Sequence, residues 1–108
     1  MNNFEIILLI SSDSEKNNLN NISSTFEKLI ANEGGSIIGK EDWGLRSLAY
    51  KINIFKKAFY LFYQIDIESQ KILTLKKNIS QNEQIIRYLF IKVNDHEKLP
   101  TILLQGAE

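Results

Sequence analysis

The amino-acid sequence predicts an α+β fold in which strands and helices follow one another in the order β-α-β-β-α-β. Two kinds of pattern lead to this prediction. Apolar runs of strand length occur near both ends of the chain and in its middle. Between them lie stretches whose apolar residues recur at the three- and four-residue spacing of a helix. The length of 108 residues suits one domain with a single hydrophobic core.

The chain begins with a strand and a helix. Phe4 to Ile10 is an apolar run in which only Glu5 is polar, and this is typical of a buried strand. A helix is predicted from about Ser14 to Asn32, because apolar residues recur there on one face. The residues of that face are Leu19, Ile22, Phe26, Leu29 and Ile30.

A second strand follows a pair of glycines. Gly34 and Gly35 are expected to end the first helix, since glycine adopts left-handed backbone angles at little cost. Ser36 to about Tyr50 has the pattern of an irregular strand. Gly39 and Gly44 within it indicate a bulge or a bend.

The second half of the chain contains two further strands and a helix. Ala58 to Ile67 is the clearest strand, because it is rich in aromatic residues and β-branched at its end. A basic loop is predicted before it, from Lys51 to Lys57. A helix from about Ser69 to Ile79 and a strand from Ile85 to Val93 complete the order. This is the order of a ferredoxin-like fold, a four-stranded antiparallel sheet with two helices on one face.

The composition excludes several classes of protein. The chain has no cysteine, which excludes disulfides and thiolate metal sites. No apolar run approaches the roughly 20 residues of a membrane helix, and the N-terminal sequence MNNFEII lacks the basic region of a signal peptide. We therefore expect an intracellular, soluble protein. Residues 1–94 are expected to form its single domain, and residues 95–108 a loosely ordered tail.

The sequence offers little that could support catalysis. His96 is the only histidine, and its place near the C-terminus predicts a solvated side chain rather than a base. Glu41 and Asp42 are adjacent, so on a strand they point to opposite faces and cannot act as a carboxylate pair. No phosphate-binding loop pattern is present. We expect no catalytic residues, metal site, cofactor or small-molecule substrate.

A ferredoxin-like sheet leaves one face uncovered by helices, and alternation along the strands predicts which residues lie on it. The apolar members of this open face are Ile7, Leu9, Tyr60, Phe62, Leu89 and Ile91, edged by Glu5, Gln64, Asp66 and Arg87. A contiguous apolar patch of this kind usually marks a site for a protein partner. Two alternatives stay open: the tail from Leu99 to Leu104 folds back over the face, or the alternation is shifted.

The cations suggest a second surface, although the whole chain has 13 basic and 13 acidic residues and a net charge of zero. Binding to nucleic acid must therefore come from a local arrangement of charge. The basic candidates for RNA contact are Arg46, Lys51, Lys56, Lys57, Arg87 and Lys92. The lysine-rich loop could equally be a hairpin kept soluble by its charge. Residues 57–63, KAFYLFY, share aromatic positions with the RNP1 pattern, but cross-strand packing is the preferred interpretation of these rings.

Several separated segments resemble one known family. Residues 44–53, GLRSLAYKIN, resemble the signature of the bacterial small-subunit ribosomal protein six family, in which a glycine with basic and polar positions precedes Leu-Ala-Tyr-x-Ile. Residues 41–43, EDW, are similar to its acidic lead-in. Residues 57–60, KAFY, are similar to its Lys-Ala-x-Tyr, and residues 86–88, IRY, with Lys92 resemble its last strand. With residues 4–6, FEI, the resemblance extends from residue 4 to about residue 93.

The resemblance implies a ferredoxin-like structural protein of the cytoplasmic ribosome without catalytic activity. It also implies binding to the central domain of 16S rRNA as a heterodimer with small-subunit ribosomal protein eighteen, the free protein being a monomer. By position in the family pattern, Arg46, Tyr50, Arg87 and Lys92 are implied to contact RNA or the partner.

The sequence departs from the family pattern at three positions. Ser47 stands where a second basic or long polar residue is common, Lys51 where proline is frequent, and Asn2 where a basic residue is common. Together these changes predict a weaker contact with RNA. An alternative function is a ferredoxin-like ligand-binding or regulatory domain that forms homodimers through its open face, which accounts for the apolar patch but not for the cations.

Overall fold

The protein is described by a computed structural model over residues 2–13, 16–52 and 54–96, without the side chains of residues 16, 17 and 49–51. The elements are β1 (Asn2–Ser11), α1 (Lys16–Asn32), β2 (Ser36–Ile52), β3 (Phe55–Ile67), a 3-10 turn (Ser69–Lys71), α2 (Ile72–Ser80) and β4 (Ile85–Val93). The predicted order of elements is therefore confirmed.

The four strands form one sheet in the order β2-β3-β1-β4. Each neighbouring pair is antiparallel, and β1 lies in the interior between β3 and β4. Both helices pack against the same face of this sheet, since their apolar residues join the strands in one core. This arrangement confirms the ferredoxin-like fold and leaves the second face without a helix.

The core has the composition that alternation predicts. Phe4, Ile6, Leu8 and Ile10 of β1 are all buried against the helices. The other strand and helix residues of the core are Leu61, Tyr63, Ile65, Ile67, Ile22, Phe26, Ile30, Ile72, Leu75 and Ile79. Because the all-apolar set of β1 faces the helices, the predicted alternation of the sheet is not shifted, and the open face consists of the residues between them.

The connection between β2 and β3 differs from the expected basic loop. β2 continues to Ile52, β3 begins at Phe55, and these two residues pair across the turn. Lys56 and Lys57 are therefore strand residues rather than loop residues. A lysine on the exposed end of a strand keeps its ammonium group in water without interrupting the ladder, so the charge run did not mark a loop.

Glycine shapes the end of α1 in two different ways. Gly34 has a positive φ of 81°, the left-handed conformation expected just after a helix. Gly35 has no such angle, but a Cβ built on it would lie 2.9 Å from Cγ2 of Ile30 and 3.1 Å from the carbonyl oxygen of Asp66. Its small size therefore lets the α1–β2 connection pack against β3.

A polar network crosses the helix–sheet interface. Tyr63, fully buried on β3, shares a hydrogen bond of 2.8 Å with the hydroxyl of Ser23 and donates one of 3.1 Å to Glu27. The ammonium group of Lys40 on β2 lies 3.0 Å from the same Glu27 carboxylate. Since buried polar groups are costly without partners, this network specifies how α1 sits on β2 and β3.

The network changes the acidity of its members. Burial of the Tyr63 hydroxyl, together with the carboxylate of Glu27 nearby, raises the pKa of Tyr63 well above its usual range. Burial acts to raise the pKa of Glu27 as well. Hydrogen bonds from Ser23, Lys40 and Tyr63 and the charge of Lys40 outweigh that effect and hold this pKa below its ordinary value of 4.5.

Removing the tyrosine hydroxyl should destabilise the fold. We expect Tyr63→Phe to lower the free energy of unfolding by about 1 kcal/mol, the usual contribution of a buried hydrogen bond, measured by urea denaturation. Tyr88→Phe is the matched control, because the Tyr88 hydroxyl makes no hydrogen bond among the described residues. An equal loss in both variants would contradict a stabilising role for the network.

The Glu27 carboxylate should make part of the stability depend on pH. Because its folded pKa is lowered, its contribution is complete above the unfolded pKa and is lost as the pH falls through the folded pKa. We expect Glu27→Gln to cost up to about 1 kcal/mol at pH 7, a modest value for a partly exposed ion pair, and the difference from wild type to shrink below pH 4.5. Denaturation from pH 7 to pH 3 measures this, with the exposed Glu83→Gln as control. A difference that does not change with pH would contradict it.

Candidate protein and RNA interface

The open face of the sheet is ordered in rows that run across the four strands. Tyr60 of β3 pairs with Leu9 of β1, which in turn pairs with Arg87 of β4. The next row contains Phe62, Ile7 and Leu89, and the row after it Gln64, Glu5 and Ile91. All six residues of the predicted partner face therefore lie on the same face, in adjacent rows.

The six residues of the predicted partner face differ in how much of each side chain is exposed. Phe62 and Leu9 are buried, whereas Leu89 and Ile91 on the edge strand β4 are 50% and 43% exposed. Ile7 and Tyr60 are intermediate. The apolar surface available to a partner is thus concentrated on the β1–β4 half of the face, which we call the apolar half and define by Ile7, Leu89 and Ile91.

Trp43 covers the other half of the face. Its indole stacks on the ring of Phe62 with centroids 5.3 Å apart and on that of Tyr60 with centroids 6.1 Å apart. The interplanar angles are 15° and 20°, so the rings are close to parallel. The indole N–H donates to the carboxylate of Glu41 at 3.1 Å. The Trp43 side chain therefore lies across the open face.

Trp43 belongs to a bulge in β2. The register with β3 shifts between Asp42 and Gly44, so that Trp43 is the extra residue. Gly44 has a positive φ of 74°, and its N–H donates to the side chain of Asp42 at 2.9 Å. The register also shifts between Ile37 and Gly39. The bulges predicted from the two glycines are confirmed.

Arg46 lies against the indole. Its guanidinium carbon is 5.7 Å from the centroid of the Trp43 ring, within the range of a cation–π contact. Its Nε–H donates to the backbone carbonyl of Trp43 at 3.0 Å. Arg46 pairs with Ala58, the neighbour of Tyr60 on the same face, so this cation belongs to the open face.

The other RNA-contact candidates fall on two sides of the sheet. Arg87 shares the open face with Leu9, and alternation puts Lys56 there as well. Lys57 and Lys92 alternate to the helix side, where Lys92 pairs with Phe4. The side chains of Tyr50 and Lys51 lie outside the described residues.

The opposite end of the open face is polar and acidic. Gln64, which is buried, donates to the carboxylate of Glu5 at 3.3 Å. The imidazole of His96 lies 3.7 Å from the same carboxylate and is only 12% exposed. The expectation of a solvated histidine is therefore wrong. The chain after β4 is held close to β1 by a hydrogen bond of 2.9 Å from Asn3 to the carbonyl of Asn94.

A groove of about 190 Å³ lies between α1 and α2 on the helix layer. Its floor is apolar, including Phe26 and Leu29, and its rim carries amides such as Asn18, Asn21 and Asn78. The lining contains no acid, base or nucleophile of the activated kind that catalysis requires. Within the described residues, no group of histidine, aspartate and glutamate side chains is arranged to hold a metal ion, and neither helix is long and apolar enough to cross a membrane.

Comparisons with known proteins agree with one another. Residues 3–92 match the family model described as Ribosomal protein S6. Two relatives called small ribosomal subunit protein bS6 are similar over nearly the whole chain. The one from Rickettsia prowazekii is 40% identical, over 98% of this chain and 88% of that protein, and the one from Zymomonas mobilis is 30% identical, over 97% and 85%.

A solved structure shows the same fold. The crystal structure of 30S ribosomal protein S6 from Thermotoga maritima superposes with a TM-score of 0.82, at 22% identity, over 85% of this chain and 87% of that one. The family match and the two relatives confirm the resemblance found in the sequence segments around Gly44 and Arg87. The chain belongs to the ribosomal protein S6 family.

Proposed function

We propose that this protein is a structural constituent of the small ribosomal subunit that binds the central domain of 16S rRNA together with small-subunit ribosomal protein eighteen and so promotes assembly. Family membership supports the coarser part of this statement, a structural ribosomal role rather than catalysis. The finer part is supported by one observation above the rest: a single open sheet face that carries exposed apolar residues on its β1–β4 half, cations toward one end of the strands and a carboxylate toward the other.

The protein partner is proposed to cover the apolar half. Leu89 and Ile91 are 50% and 43% exposed, and they lie in neighbouring rows on the edge strand β4. Their burial would contribute about 25 cal/mol per Å² before the costs of association are subtracted. The carboxylate of Glu5 next to Ile91 favours a partner that is basic at this end of the contact.

The RNA is proposed to approach the cationic end of the same face. Arg46 on β2 and Arg87 on β4 stand about 14 Å apart across the sheet, because three strand spacings separate them. Lys56 lies near the hairpin on the same face. Cations spread across one end of the face in this way contact phosphates and sugars. Such contacts set the orientation of the RNA without reading its bases.

The position of the remaining candidate residues gives less support for contact with RNA. Lys57 and Lys92 alternate to the helix side, so they would meet RNA only where it passes around an edge of the sheet. Tyr50 and Lys51 stay proposals that rest on the family pattern. The net charge of zero predicts weak RNA binding by the protein alone and firmer binding once a basic partner joins.

A gel-shift titration tests the proposal. The labelled RNA is a fragment of the 16S central domain, titrated with this protein in the presence and in the absence of protein eighteen. We expect a complex at much lower protein concentration when the partner is present. Equal affinity in both series would contradict cooperative assembly. No complex in either series, with a dimer in sedimentation, would favour the homodimeric regulatory domain instead.

The apolar half should carry the partner contact. We expect Leu89→Ser to weaken binding to protein eighteen by about five- to tenfold, since a half-exposed leucine buries on the order of 1 kcal/mol of further apolar surface. Isothermal titration of the two proteins measures this. Leu73→Ser on α2 is the matched control, because Leu73 is 75% exposed on the helix layer. Equal weakening by both substitutions, or weakening by Leu73→Ser alone, would contradict the assignment of the partner to the open face.

A further inference from the structure

We infer that Trp43 is a positioning residue that holds the guanidinium of Arg46 ready for one phosphate of the RNA backbone. The inference deepens the proposed function and rests on it. It names a pair of residues, one aromatic and one cationic, as a preformed anchor on the open face. The pair is distinct from the apolar half, which lies on the far strands of the sheet.

Two contacts hold the arginine. The cation–π contact places the guanidinium carbon 5.7 Å from the indole centroid, and the Nε–H bond to the Trp43 carbonyl measures 3.0 Å. Together they fix both the position and the plane of the group. Besides Nε, an arginine side chain carries four N–H donors on its two terminal amino groups, in a planar geometry that matches phosphate oxygens.

The tryptophan is in turn held by the bulge and by the sheet. Gly44 at positive φ is part of the bulge that puts Arg46 on the same face as the indole. The rings of Tyr60 and Phe62 support the indole, and Glu41 accepts its N–H. The pair is therefore carried by the edge strand β2, and its indole rests on rings of the interior strand β3.

This arrangement matters because a free arginine has many rotamers. A side chain that must be ordered by its ligand spends part of its binding free energy on that ordering, whereas one ordered in advance does not. The flat guanidinium stacks on an indole, and the compact ammonium of lysine does not stack in the same way. The positive charge alone therefore does not explain an arginine at position 46. The variant Arg46→Lys keeps the charge and removes the planar group, so it separates the effect of charge from the effect of geometry.

The alternative is that Trp43 only shields Phe62 and Tyr60 from water. In that case its loss would lower stability without any special coupling to Arg46. Mutant cycles separate the two roles, since residues that act as a unit are not additive whereas independent residues are.

The experiment measures binding of the 16S central-domain fragment to the complex with protein eighteen at several salt concentrations. For Arg46→Gln we expect weaker binding and a salt slope shallower by about 0.7 to 0.9, the value of one phosphate contact. For Trp43→Leu and for Arg46→Lys we expect about three- to tenfold weaker binding with the slope of wild type, because the charge remains. The double variant Trp43→Leu with Arg46→Gln should bind no worse than Arg46→Gln alone.

Lys77→Gln is the matched control, because it removes one exposed cation from the helix layer and should change neither affinity nor slope. The inference is overturned if Arg46→Gln behaves like this control, if Arg46→Lys binds as wild type, or if the losses from Trp43 and Arg46 add. Arg46→Lys leaves the indole and the rings beneath it in place, so it decides the question even if Trp43→Leu does not fold. Failure of the wild-type complex to bind the RNA would instead refute the proposed function itself.

Discussion

Two helices cover one face of a four-stranded sheet, and the rest of the structure depends on what lies on the other face. A face without helices exposes alternate residues of every strand. Each part of it is therefore covered by another side chain, occupied by charged groups, or left as exposed apolar surface. Here Trp43 covers Phe62 and Tyr60, polar and acidic residues around Glu5 occupy one end, and Leu89 and Ile91 are left exposed. The exposed part is what makes an assembly role physically reasonable.

The place of Arg46 beside the tryptophan depends on a single irregularity in β2. Asp42 pairs with the core residue Leu61, so alternation puts Trp43 on the open face, but a regular strand would then send Arg46 to the helix side. The extra residue at the bulge, with Gly44 at positive φ, allows the indole and Arg46 to share the open face. This one backbone feature therefore brings the cation to the face on which the indole covers Phe62 and Tyr60.

Much of the fold was predictable because it rests on local periodicity. The strands around Ile6 and Tyr63 and the helix around Phe26 have patterns that belong to one element type, and alternation then assigned the open face correctly. The placement of Arg46 beside Trp43 was not predictable, since a bulge between them breaks the alternation on which such assignments depend. The burial of His96 was also missed, because its contact with Glu5 joins residues from opposite ends of the chain and leaves no local signal.

The central claim is that the open face, and not the helix layer, meets the ribosomal partners. Methyl NMR of the isoleucine and leucine side chains measures this directly, with spectra recorded before and after addition of protein eighteen and the 16S central-domain fragment. The account predicts large shifts for Leu89 and Ile91 and none for Leu73, which is the most exposed leucine of the helix layer. Shifts confined to Leu73 and its neighbours, with Leu89 and Ile91 unchanged, would contradict it.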